Sequence, residues 1–151
     1  RYASMVEAIL SRDPSVTVKL LGFQDRFVRD DLLCEELMVR LGKDGARRVQ
    51  NCSYRGDIDV LLRDFASCSR VLAVRFHSGI LALGLGLPMV QIVYSNKIEE
   101  FLQDAGWQGL LVPLQGLATI EDAPLIDALF AAPGAEYLPP EARAHAAGLR
   151  P

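Results

Sequence analysis

The sequence predicts an α/β fold: a Rossmann-like three-layer domain around a mostly parallel five-stranded sheet. Three observations point there. Short apolar runs alternate with helical stretches as far as Phe130, the pattern of strands joined by crossover helices. Met89 to Tyr94 is almost continuously apolar, as a parallel strand covered on both faces requires. Glycines at 42, 45 and 106 stand where helical periodicity stops.

Tyr2 to Arg12 carries Ala3, Val6, Ile9 and Leu10 at helical spacings and reads as an amphipathic helix. Asp13-Pro14 is a turn signal, and Val16 to Phe23, rich in β-branched and apolar residues, follows as a strand. Asp30 to Leu41 is a helix with acids early and bases late, the charge order that suits its dipole; Gly42 or Gly45 ends it. Arg47 to Asn51 is a weaker strand. Asp57 to Ser67 is a helix with Ile58, Leu61, Leu62 and Phe65 on one side.

Val71 to Val74 is a short buried strand and Ser78 to Leu85 a mostly apolar helix. Met89 to Tyr94 is the next strand, Lys97 to Ala105 a helix stopped by Gly106, and Gly109 to Val112 the last strand. Asp122 to Phe130 is a helix. From Ala131 onward the chain holds four of its eight prolines. We therefore divide it into a domain over residues 1–132 and a Pro/Ala-rich tail or docking helix over 133–151, which includes His145.

Composition narrows the function classes. Of 151 residues, 50% are hydrophobic and 23% charged, so a disordered chain is excluded. The net charge of −3 and pI near 5.4 show no basic excess, and we expect no nucleic-acid partner. Cys34, Cys52 and Cys68 form an odd set without a zinc-ligand spacing, so buried free thiols are expected and no metal site. The longest apolar stretch, Ile80 to Tyr94, is broken by Gly84, Gly86, Pro88 and Gln91, and no transmembrane segment is expected. These features predict a cytoplasmic protein, at most peripheral at the inner face of a membrane.

The chemistry concentrates at Arg75-Phe76-His77-Ser78-Gly79, where a strand hands over to a helix. Ligands of open parallel sheets bind beyond the carboxyl ends of strands, where the next helix offers unpaired N–H groups. Arg grips a carboxylate or phosphate with two parallel hydrogen bonds, and His transfers protons near neutral pH. The plainer alternative is that Arg75 pairs with a neighbouring acid and His77 caps the helix. A second candidate is Tyr94-Ser95-Asn96-Lys97, on the same edge, where Lys97 opposes the helix dipole. Either a bound anion or exposure to solvent accounts for such a lysine. Gly84 to Pro88 closes a helix and opens a strand, the reverse of a phosphate loop. Trp107 is expected to be a packing anchor.

The run Val71 to Trp107 resembles the polysaccharide pyruvyl transferase family. The resemblance rests on Arg75, His77, Gly86, Pro88, Tyr94, Lys97 and Gly106 at their mutual spacings. It implies the C-terminal half of a GT-B-like fold, in which two Rossmann-like domains face across a cleft. The implied activity is transfer of a pyruvyl group from phosphoenolpyruvate to a sugar hydroxyl pair, forming a ketal in bacterial cell-surface polysaccharide biosynthesis. Carried over, Arg75 binds the donor's carboxylate or phosphate and His77 is the general acid/base. Phe76, Ser78, Gly79, Tyr94 and Lys97 complete the donor site, with the Ser78 and Gly79 amides on phosphate. Phosphoenolpyruvate is the only small molecule implied besides the acceptor, with no cofactor. The acceptor is a sugar or lipid-linked oligosaccharide, bound by an N-terminal partner domain. The chain opens on Arg1 with helix already under way, so that domain and a first strand are expected in a longer protein. Phe76 stands where the family more often has Leu. Rival readings are the donor half of a nucleotide-sugar-dependent glycosyltransferase, whose ribose-gripping acid could only be Glu121 or Asp122, which read instead as a helix start, and a non-catalytic sugar-binding or assembly module.

Overall fold

The computed structural model describes residues 1–23, 29–132 and 134; apart from residue 134, the expected tail, with His145, lies outside the described residues. The strands do not form one five-stranded sheet. They pair as a two-stranded parallel sheet and a three-stranded parallel sheet, within an α/β chain of two units. Alternating strand and helix patterns report burial and direction but not which strands exchange hydrogen bonds, and that is why the expectation of a single sheet fails.

The first unit is Arg1–Phe65. Helix α1 (Tyr2–Arg12) buries Met5, Val6, Ile9 and Leu10, close to the expected face. Strands β1 (Val18–Leu20) and β2 (Val49–Asn51) pair in parallel with Val18 opposite Val49. Between them, α2 (Asp30–Ala46) continues past Leu41, but Gly42 has φ 64° and ψ −176°, so a helical break falls at the glycine expected to end it. Val6, Leu10, Leu41 and Val49 form one buried cluster. Arg48, just before β2, ties the end of α1 and its turn to that strand. Its guanidinium donates to the carbonyls of Leu10 (2.9 Å) and Pro14 (3.0 Å), satisfying acceptors that the end of α1 and its turn leave open. Helix α3 (Ile58–Ala66) is capped by Asp57, whose Oδ1 accepts from the Asp59 and Val60 amides. It buries Leu61 and Phe65, whereas Ile58 and Leu62 of the expected face are exposed.

The second unit begins at Ala66. Strands β3 (Val71–Ala73), β4 (Met89–Val93) and β5 (Leu111–Pro113) run parallel in that spatial order. Helix α4 (Phe76–Gly84) and helix α5 (Asn96–Asp104) are the crossovers, and α6 (Asp122–Ala131) also packs on β4. Both crossovers end the same way. Gly86 (φ 59°) donates to Leu83 and Leu87 to Ala82; Gly106 (φ 70°) donates to Gln103 and Trp107 to Leu102. These are Schellman closures, with glycine in the left-handed position that a side chain disfavours. Gly84 to Pro88 is therefore a helix stop, as its order in the sequence predicts. Trp107 is 6% exposed, the packing anchor expected. Arg70, just before β3, donates to the carbonyls of Leu129 (2.9 Å) and Phe130 (2.6 Å) at the end of α6 and stacks on the Phe130 ring.

All three cysteines are free; Cys34 is buried, and burial pushes its thiol pKa up. Among the described residues no helix is long and apolar enough to cross a membrane.

Two predictions follow from this packing. A Cβ at Gly106 would meet no neighbour within 4 Å, so Gly106→Ala isolates the backbone penalty: urea unfolding should show a loss of about 1 kcal/mol. Asp64 accepts a 2.6 Å bond from Lys19, which holds its carboxyl pKa below the ordinary value. A carboxyl lowered in the folded state adds stability above its unfolded pKa and loses it as pH falls through the folded one. Asp64→Asn should thus cost up to about 1 kcal/mol at pH 7, a difference that disappears well below pH ~3.9.

Candidate functional site

Parallel pairing puts the carboxyl ends of β3, β4 and β5 on one edge, and both crossover helices start there. After β3 the chain stays extended through Arg75 (φ −80°, ψ 148°), and α4 begins at Phe76, two residues before the expected Ser78. The shift decides which amides face outward. The Arg75 carbonyl accepts from the amides of Ser78 (3.1 Å) and Gly79 (3.3 Å) and from the Ser78 hydroxyl (2.6 Å). Ser78 is buried and its hydroxyl is turned back onto its own helix. Among the described residues the amides of Phe76 and His77 meet no acceptor, and these are the donors that the start of α4 presents.

Phe76 joins the two candidate segments. Its ring lies 5.9 Å from the His77 ring in an edge-on contact and 5.4 Å from the Phe101 ring. The Lys97 ammonium sits 4.7 Å above the same ring. Lys97 and Phe101 are one turn apart on α5, so a single helical face holds the Phe76 ring from two sides. His77 and Lys97 are both exposed, and Arg75 and Phe76 are half-buried.

The ring also accounts for the position of Lys97. A cation in the first turn of a helix opposes the dipole, and the electron-rich face of Phe76 offsets that repulsion. Among the described residues Lys97 makes no ion pair. The sequence reading named Phe76 and Lys97 but missed Phe101. Its signal was the spacing of Lys97 and Phe101, which places both on one stripe of α5.

Tyr94 is placed differently. With Ser95, Asn96, Glu99 and Gln115 it borders a cavity of about 370 Å³ at the carboxyl ends of β4 and β5. Arg75, His77 and Lys97 do not line it. The first turn of α5 thus separates a basic side, toward α4, from an uncharged or acidic side, toward β5. Glu121 stands at the N-cap of α6 and Asp122 in its first turn, positions in which acids serve the helix itself.

The chain matches no family model, no curated protein and no solved structure.

The stacked pair is measurable. Phe76→Leu and Lys97→Met, singly and together, should reveal a coupling of about 0.5–1 kcal/mol in a double-mutant unfolding cycle. Strict additivity would show that the ring and the ammonium do not interact.

Proposed function

We propose that this chain is the donor-binding half of a polysaccharide pyruvyl transferase, the Rossmann-like C-terminal part of a GT-B-like enzyme. The observation that carries this reading is the Phe76 ring, which contacts both His77 and Lys97 at the edge where a parallel sheet binds ligands. The residues that build this contact belong to the segment whose spacing resembles that family. The donor is phosphoenolpyruvate. The acceptor is a sugar or lipid-linked oligosaccharide held by an N-terminal partner domain, in a cytoplasmic step of cell-surface polysaccharide synthesis.

The donor carries three negative charges, and these must be held before a neutral hydroxyl attacks. Arg75 takes the carboxylate or the phosphate through paired N–H donors. The free amides of Phe76 and His77 add the positive end of α4, and Lys97 adds its charge from α5. In the reaction, C3 of the enol gains a proton while a sugar hydroxyl oxygen bonds to C2. The second hydroxyl then closes on C2 as the C2–O bond to phosphate breaks. One hydroxyl proton is thereby balanced by the new methyl group, and the other leaves on inorganic phosphate. His77 is the group that passes the proton, as general acid toward C3 or base toward the hydroxyl.

Calorimetric titration with phosphoenolpyruvate tests the donor assignment: binding should saturate in the wild-type chain and weaken at least about tenfold in Arg75→Ala. Equal binding by both proteins would remove Arg75 from the site, and no binding by the wild type would remove the donor. In the enzyme with its acceptor domain, His77→Ala should lower kcat far more than it raises KM.

A further inference from the structure

We infer that Gln91 and Gly79 form a matched spacer that sets the first turn of α4 on the sheet, making Gln91 a positioning residue for Phe76 and His77. The functional consequence rests on the pyruvyl-transfer reading; the geometry does not. Met89, Val90, Gln91 and Ile92 are each 0% exposed, and Gln91 is the one polar side chain among them. Burying an amide in the centre of a sheet is costly, and an aliphatic residue would serve the strand better.

Its hydrogen bonds show what it holds. Nε2 donates to the carbonyls of Ala73 (3.1 Å) and Ile92 (2.9 Å). Both partners only accept, so the NH2 end of the amide must face them and the carbonyl must face away. Oε1 has no hydrogen-bond partner among the described residues and points at Gly79. A Cβ on Gly79 would overlap Oε1, and the Gln91 Cδ would be the only other atom near it, at 3.4 Å. The amide has no room to retreat, because it is fully buried and tied at its other end.

Gly79 is equally costly where it stands. A glycine within a helix destabilises it by about 1 kcal/mol relative to alanine. Each unfavourable choice explains the other: the missing side chain lets α4 settle on the amide oxygen. Ala73 is the last residue of β3 and Gly79 lies in the first turn of α4. One side chain therefore touches the chain on both sides of Arg75 and fixes the bend from which Arg75, Phe76 and His77 project.

Four proteins test this: the wild-type chain, Gly79→Ala, Gln91→Ala and the double variant. The Phe76 ring current should shift the Lys97 side-chain NMR signals upfield, which reports α4 against α5 without reference to any reaction. Gly79→Ala should abolish that shift and weaken phosphoenolpyruvate binding by about tenfold or more. In the double variant, where the opposing oxygen is gone, both should return to the values of Gln91→Ala. An unchanged Lys97 shift in Gly79→Ala, or strictly additive effects, would overturn the spacer. Should Gly79→Ala not fold, Gln91→Met retains the volume and removes the amide. It should move the Phe76 and His77 amide resonances, and their constancy would equally refute the idea. A wild-type chain that ignores phosphoenolpyruvate would sink the proposed function, while the Lys97 signals would still judge the spacer.

Discussion

Burial of β4 is the constraint on which the second unit depends. The strand is paired in parallel on both sides, to β3 and to β5, and is fully buried from Met89 to Ile92. A strand so placed needs cover on both faces, and α4, α5 and α6 all pack against it. Parallel pairing also needs a crossover after each strand, so α4 and α5 must begin on the same edge. The meeting of Phe76 and Lys97 is a consequence of that topology as much as of their chemistry.

Helix ends in both units are closed by particular groups. Gly86 and Gly106 finish the two crossovers with the same pair of hydrogen bonds and the same left-handed turn. Arg48 and Arg70 occupy equivalent places, each directly before a strand, and each donates to carbonyls at the end of a helix in its own unit. A guanidinium suits this task because it offers several donors in a rigid plane and stays charged beside the negative end of a helix. These arginines are structural, and their chemistry alone would not separate them from Arg75. Position does: Arg75 stands where a helix begins, at the opposite electrostatic pole.

At the candidate site, two positive helix ends and a lysine share one edge. The aromatic ring between them lets a cation occupy a first helical turn without a carboxylate partner. An ion pair would have neutralised the charge, whereas a ring leaves it available to an anion. Past the first turn of α5 the surface changes character at the cavity bordered by Tyr94, Asn96 and Gln115. A ligand reaching across α5 would therefore meet a basic region and an uncharged or acidic one in turn.

Much of this was legible in the sequence. Helix periodicity located α1, α5 and α6 to within about one residue, because burial of one face is a local property repeated along the chain. Gly42, Gly86 and Gly106 marked helix breaks, since left-handed backbone favours glycine wherever it occurs. Arg75, His77 and Lys97 stood out because strand-to-helix junctions are local too. Pairing was not legible: the division into two sheets depends on hydrogen bonds between segments far apart in sequence, and apolar patterns do not encode partners. The start of α4 at Phe76 moved the free amides off Ser78 and Gly79, a shift set by how the turn after β3 packs. The pairing of Gln91 with Gly79 likewise exists only once β4 lies beneath α4. The sequence alone determined which segments are strands and helices and which edge carries the candidate site residues. Tertiary structure alone decided which amides, rings and charges meet there, because those contacts form between residues that only packing brings together.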